Sequence, residues 1–309
     1  MTSLIDTLAA SPGIFTGACV VFGLLFGSFL NVVIHRLPIM LDRQWREQCA
    51  ELMAEASGAA ATETSAPAAQ ADRFNLFVPA SACPSCKTPI RAWQNVPVVS
   101  YLLLKGRCAA CGTSISARYP LVEALTGIVS GLVAWKFGFS WAAAGALVFS
   151  WFLIALTFID VDRQLLPDAL TLPLIWLGLL FSLWHPEAGL AGFPVDLRSS
   201  LIGAVVGYLS LWAVYHLFRL ATGKEGMGYG DFKLLAAIGA WLGLKMLLPT
   251  ILVSALVGAV VGAVILMVKG RDKGTPIAFG PFLAAAGWIM LMCGPAIVDR
   301  YMGFFGPRS

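Results

Sequence analysis

Charge is scarce in this chain. Of its 309 residues only 12% are Asp, Glu, Lys or Arg, against 58% hydrophobic, a balance that excludes an ordinary water-soluble domain and points to an integral membrane protein. The positive charge that exists is spread between apolar runs and not gathered on an aromatic-bearing face, so a nucleic-acid partner is not expected. Histidine is rarer still: His35, His185 and His216 are the full set and share no ligand spacing, which removes a histidine metal centre. Residues 1–13 contain Asp6 but no Lys or Arg, so the start lacks the basic n-region of a cleaved secretory signal. Positive charge instead follows the first apolar run, from Arg36 onward, and the run is expected as an uncleaved anchor with its N-terminus outside. No strand leads into a glycine-rich turn and helix, which argues against a Rossmann-like nucleotide site.

What the chain has is long apolar runs. A bilayer core of about 30 Å needs about 20 apolar residues in a helix. Ile14–Ile34, Trp141–Ile159, Ser199–Phe218, Met246–Val268 and Ile277–Val298 contain no charged side chain at all. Leu121–Trp135, which carries Glu123, Ala169–Trp184 and the short Leu234–Leu244 are weaker candidates. Together they predict an all-α polytopic membrane protein of about eight transmembrane helices, with both termini on one side. On that topology 16 of the 21 Lys and Arg fall in segments 35–120, 160–168, 219–233 and 269–276, which the positive-inside rule then places in the cytosol. Lys136, Arg198, Lys245, Arg300 and Arg308 fall on the other side.

The expected division is an N-terminal transmembrane helix (1–34), a cytosolic insert (35–120) and a membrane-embedded part (121–309). Within the insert, Glu51–Asp72 is rich in Ala, Glu, Ser and Thr and reads as a linker or marginal helix. Farther on, Cys83-Pro-Ser-Cys86 and Cys108-Ala-Ala-Cys111 have the spacing of a zinc ribbon, in which each CxxC turn presents two thiolates. Two disulfides are the alternative, disfavoured in a reducing cytosol. Four thiolates leave zinc no open position for water, so the metal would be a folding staple and not a hydrolytic centre. Cys19, Cys49 and Cys293 have no paired spacing and read as packing residues or bystanders.

Carboxylates are costly in hydrocarbon, so acids at the ends of spans are functional candidates. Asp160, Asp162 and Asp168 cluster where the third span ends and the fourth begins, and Asp231 enters the short sixth segment behind Gly226, Gly228 and Gly230. Two carboxylates sharing a proton are what an aspartic peptidase needs, one taking a proton from water while the other protonates the carbonyl or leaving nitrogen. Bland roles exist for each: Asp162 paired with Arg163, Asp168 capping a helix after Pro167, Asp231 an N-cap beside Lys233. Membrane-edge acids also serve proton- or cation-coupled transporters, and a non-catalytic assembly scaffold would need none of this chemistry.

Six segments in order, GSFLNVVIHRLP (Gly27–Pro38), CPSC with CAAC, RYPLVE (Arg118–Glu123), IDVDRQLLPD (Ile159–Asp168), GMGYGDFK (Gly226–Lys233) and PIAFGPFL (Pro276–Leu283), resemble the bacterial prepilin peptidases, GxGD-type aspartyl proteases, over nearly the whole chain. The resemblance implies that Asp160 and Asp231 are the catalytic pair and that Asp162, Asp168, Gly228, Gly230 and Lys233 support it. It implies a bacterial inner-membrane enzyme that removes the basic leader of type IV prepilins and type II secretion pseudopilins at the cytosolic face. It further implies N-methylation of the new N-terminus with S-adenosylmethionine. A pocket for that second activity is expected among Asn31, His35, Arg36 and Glu123, whose alternative is to anchor helix ends at the interface.

Overall fold

The structure, a computed structural model, describes residues 4–56, 74–184, 193–269 and 278–305. His185, most of the Ala-rich linker, Pro276, Arg271, Lys273 and Arg308 lie outside the described residues. Among the described residues the chain is helical, its only extended pairings being two isolated antiparallel bridges. The helices are α1 (Leu4–Ala10), α2 (Pro12–Ala56), α3 (Val99–Leu103), α4 (Arg118–Phe137), α5 (Trp141–Arg163), α6 (Asp168–Trp184), α7 (Leu197–Thr222), α8 (Tyr229–Leu242), α9 (Leu247–Lys269) and α10 (Gly280–Phe305). All eight apolar runs are therefore helical. Among the described residues six helices (α2, α4, α5, α7, α9 and α10) are long and apolar enough to cross a bilayer, with α6 shorter, so this is a multi-pass membrane protein.

The first helix outruns its apolar stretch. α2 has 45 residues, about 68 Å at the helical rise, roughly twice a bilayer core. Beyond Ile34 the apolar run ends, yet Arg43–Ala56 is built of good helix formers and the helix continues through Pro38. Hydropathy marks where a span stops; propensity decides where the helix does.

The chain divides into two compact units, Val21–Gly127 and a second composed of Met1–Val20 with Ile128–Ser309. In the larger unit α8 is the central element: eleven of its fourteen residues are buried, Leu234 to Leu242 without a break, so it needs neither bilayer length nor an amphipathic stripe. Glycines make this possible. Gly203 and Gly207 lie four residues apart on α7 and let its backbone meet that of α8; a Cβ on Gly203 would strike the Gly239 carbonyl, and one on Gly207 would lie 2.7 Å from the Leu235 carbonyl oxygen. Ser200 donates to the Ala240 carbonyl at 2.5 Å in the same seam. Because the obstructing atoms are backbone, Gly239→Ala is expected to pry α7 from α8 and cost about 3 kcal/mol, measurable as a lower unfolding temperature in detergent.

Most buried polar groups in this unit are paired, as burial in apolar surroundings requires, the exceptions among the described residues being the Tyr215 hydroxyl and one oxygen of Asp231. The Trp241 indole donates to the Leu174 carbonyl at 2.8 Å, Trp288 to Ser150 at 3.1 Å and Trp151 to Ser130 at 3.0 Å. Lys136, one of the few cations counted to the outer side, has a local reason to be there. Pro295 inside α10 has no N–H for the carbonyl of Leu291, and the Lys136 ammonium donates to it at 2.9 Å and to Met292 beside it.

Candidate active site

Two buried carboxylates meet where α5 ends and α8 begins. α5 starts on Ser140, whose hydroxyl accepts from the Ala143 N–H, and stops at Gln164, left-handed at φ 51°, whose N–H returns to the Asp160 carbonyl. Asp160 thus occupies the last turn, 5% exposed. Its carboxylate accepts a hydrogen bond from the backbone N–H of Gly280, the first residue of α10, where a helix start favours negative charge.

Asp231 is 7% exposed and in the first turn of α8. Gly228 is the N-cap, and the Asp231 carboxylate reaches back to its N–H, half of a capping box. Asp231 lies within range of the Asp160 charge, and Leu166 packs beside both acids. The second oxygen of Asp231, Oδ1, is buried with no hydrogen-bond partner among the described residues, a costly condition for a carboxylate unless a proton or water is shared there.

A single aliphatic side chain packs against the backbone beside both acids. Leu166, buried in the loop after α5, lies against Gly230 and Gly280 at once: a Cβ on Gly230 would sit 2.6 Å from Leu166 Cβ, and one on Gly280 would sit 3.2 Å from its Cδ1 and strike the Asp160 carboxylate. The glycine immediately before Asp231 is therefore required by close approach, not by chain flexibility. Asp168, the first residue of α6, is exposed and takes the Lys233 ammonium at 2.6 Å, so Lys233 pairs with Asp168 and not with Asp231. Asp162 is exposed, two residues past Asp160 on α5. Sequence reading assigned Leu166 and Gly280 no role; both lie within quoted motifs, which was the available signal.

The smaller unit holds the four spaced cysteines. Two hairpin knuckles repeat one hydrogen-bond pattern: Cys83 N–H to Thr88 and Lys87 N–H to Cys83 in the first, Cys108 N–H to Thr113 and Gly112 N–H to Cys108 in the second. Lys87 and Gly112 hold the same left-handed position, at φ 59° and 71°. All four thiols are free of disulfides. The four sulfurs lie within 4.8 Å of one another, and Cys83 and Cys111 are 3.8 Å apart, the S–S separation of about 3.8 Å that a tetrahedron with 2.3 Å zinc–sulfur bonds requires. Hydrogen bonds at Thr88 and Thr113 lower the Cys86 and Cys111 thiols below their ordinary pKa, and the backbone N–H groups of Cys111 and Ala110 do so for Cys108, favouring the thiolates a metal binds. The cluster can hold a metal ion.

Residues 21–137 match the model of the bacterial peptidase A24 N-terminal domain, and residues 147–263 that of the type IV leader peptidase family. The chain is 53% identical to the prepilin leader peptidase/N-methyltransferase of Stutzerimonas stutzeri, over 97% of this chain and 98% of that protein. It is 51% identical to the protein of the same name from Pseudomonas aeruginosa, over 98% and 99%, and 51% identical to that of Neisseria gonorrhoeae, over 90% of each. The chain belongs to the type IV leader peptidase family. No solved structure matches it.

Of the residues expected to line a methylation pocket, three have identifiable partners. The Arg36 guanidinium donates to the carbonyls of Asn75 and Pro79 at 2.9 and 2.7 Å and faces the Phe74 ring, so it fastens the loop after the linker. His35 is exposed. Asn31 donates to the Tyr119 carbonyl, and Glu123 is buried beside Val98.

Proposed function

We propose that this chain is a membrane aspartic endopeptidase that removes the basic leader of type IV prepilins and type II secretion pseudopilins, and that it then N-methylates the new N-terminus. Asp160 and Asp231 are its catalytic pair. The observation that carries the reading is the proximity of these two buried carboxylates, one with an oxygen that has no partner among the described residues. Two such acids retain one proton between them. The ionised member draws a proton from water as it attacks the scissile carbonyl, and the neutral member gives its proton to the carbonyl oxygen or leaving nitrogen. Burial at the helix ends keeps other water away. Asp168 and Lys233 hold the start of α6 to that of α8, Gly228 leaves the side of Asp231 Oδ2 open, and Gly230 makes room for Leu166.

A prepilin has a basic leader followed by an apolar helix, so its cut site lies at a membrane edge; the charge distribution of the sequence puts that edge on the cytosolic face of the inner membrane. Cys83, Cys86, Cys108 and Cys111 bind structural zinc, which fastens the two knuckles together. The relatives' name supports methyl transfer, for which S-adenosylmethionine supplies an electrophilic methyl group. A transporter using the same acids finds no support, since it leaves the thiols without a task.

The test is a single incubation of purified protein with a leader-bearing prepilin and S-adenosylmethionine, read by product mass. Loss of the leader with the gain of one methyl group is expected. Intact substrate, in detergent that preserves the fold, would refute the peptidase.

A further inference from the structure

The smaller unit contains an acidic side chain that none of its described residues neutralises. Glu123 lies in the second turn of α4, 9% exposed, within a helix apolar enough to cross a bilayer. Its partners are neutral: the Val98 N–H at 2.8 Å from Oε2 and the Ser28 hydroxyl. No ion pair among the described residues includes it. A buried carboxylate without a cation is expensive and in membrane proteins marks a functional position.

The surroundings are built to hold this carboxylate. Val98 is β-branched yet sits at φ 58° and ψ −47°, a backbone state that costs about 1–3 kcal/mol and persists only where neighbours impose it. That conformation aims its N–H at Glu123. On α2, Gly27 admits the opposing helix so closely that a Cβ would lie 2.7 Å from the Glu123 Cα, which brings Ser28 to the carboxylate. Asn95 lies 3.5 Å from the Ser28 hydroxyl, and Asn31, one turn along α2, takes up the Tyr119 carbonyl. Glutamine would accept from the Val98 N–H and donate to the Ser28 oxygen, whose own proton can go to Asn95, at no charge cost, so hydrogen bonding alone does not account for an acid here.

We propose that Glu123 binds the α-ammonium of the mature pilin and accepts its proton during methyl transfer. This rests on the methylating half of the proposed function. Peptide hydrolysis leaves an N-terminal amine that is largely protonated at neutral pH, and a protonated nitrogen has no lone pair with which to attack. Glu123 takes one proton from the ammonium; the nitrogen lone pair then forms the N–C bond to the methyl carbon. The C–S bond of the sulfonium donor breaks, its electron pair stays on sulfur as a neutral thioether, and the proton on Glu123 passes to water. The product is the N-methylammonium.

Glu123→Gln tests this in the full-length protein, because it preserves both hydrogen bonds and removes only the charge. With a synthetic mature-pilin peptide bearing a free α-amine and S-adenosylmethionine, methyl incorporation is expected to fall at least about 100-fold, the scale of a lost general base. Leader removal from prepilin should stay within about twofold of the parent, and Glu123→Asp should restore part of the methylation. KM for S-adenosylmethionine should not change. Parental methylation rates in Glu123→Gln would overturn the proposal, as would equal loss of both activities, which marks a structural role, or a defect confined to donor KM, which assigns the carboxylate to the sulfonium. If the parent protein itself removes leaders without methylating, the methylating half of the proposed function has failed and this proposal falls with it, an outcome distinct from a loss seen in the variant alone.

Discussion

Asp160→Asn and Asp231→Asn are each expected to lower leader removal by roughly 1,000-fold or more, the scale set by loss of a positioned acid or base, while membrane insertion and the unfolding temperature stay close to those of the parent. Asparagine is isosteric, and at Asp160 it still accepts from the Gly280 N–H. Initial rates on a purified prepilin measure the loss. Methylation of full-length prepilin disappears with it, since no new amine is exposed, but a pre-cleaved peptide remains a substrate. The pH profile follows from proton sharing. Below the lower of the pair's two macroscopic pKa values both acids are protonated and nothing accepts a proton from water; above the higher, both are ionised and nothing donates. Leader removal should therefore be bell-shaped in pH, and parental rates in either Asn variant would end the assignment.

Replacing Cys83 or Cys111 with Ser should lower bound zinc from one per chain to near zero by elemental analysis. In small zinc-folded modules the metal supplies about 10–16 kcal/mol of apparent binding energy, so the two knuckles should lose their register and the unit its thermal transition. Methyl transfer is expected to fall at least about tenfold, with leader removal, which depends on the other unit, reduced far less. A metal content unchanged in Cys83→Ser contradicts the tetrathiolate site. Chelation of the parent protein should reproduce the variant.

The helices were legible in the sequence because burial in lipid and burial in protein select the same side chains. Their extents were not always so. α2 reads as ending at Ile34, where apolarity stops, whereas the helix runs to Ala56. α8 reads as too short to span; its place at the centre of its unit is fixed by Gly203 and Gly207 on another helix, contacts that no property of α8 announces. The CxxC pairs were legible because thiol spacing is a local signal, and the knuckles repeat the same local bonds. Asp160 and Asp231 stood out as acids at the margins of apolar runs. Leu166 and Gly280 did not, for an apolar residue and a glycine bear no chemical mark, and what matters about them is which other elements they touch. Glu123 was visible as a charge in an apolar run, but the backbone strain at Val98 that serves it was not.

Because Leu166 bears on Gly230 and Gly280 together, one hydrocarbon side chain ties the start of the helix that carries Asp231 to the start of the helix that packs on Asp160. A shorter or longer aliphatic residue at that one place is expected to shift these two segments against each other, and with them the pH window of proteolysis, without altering an oxygen atom.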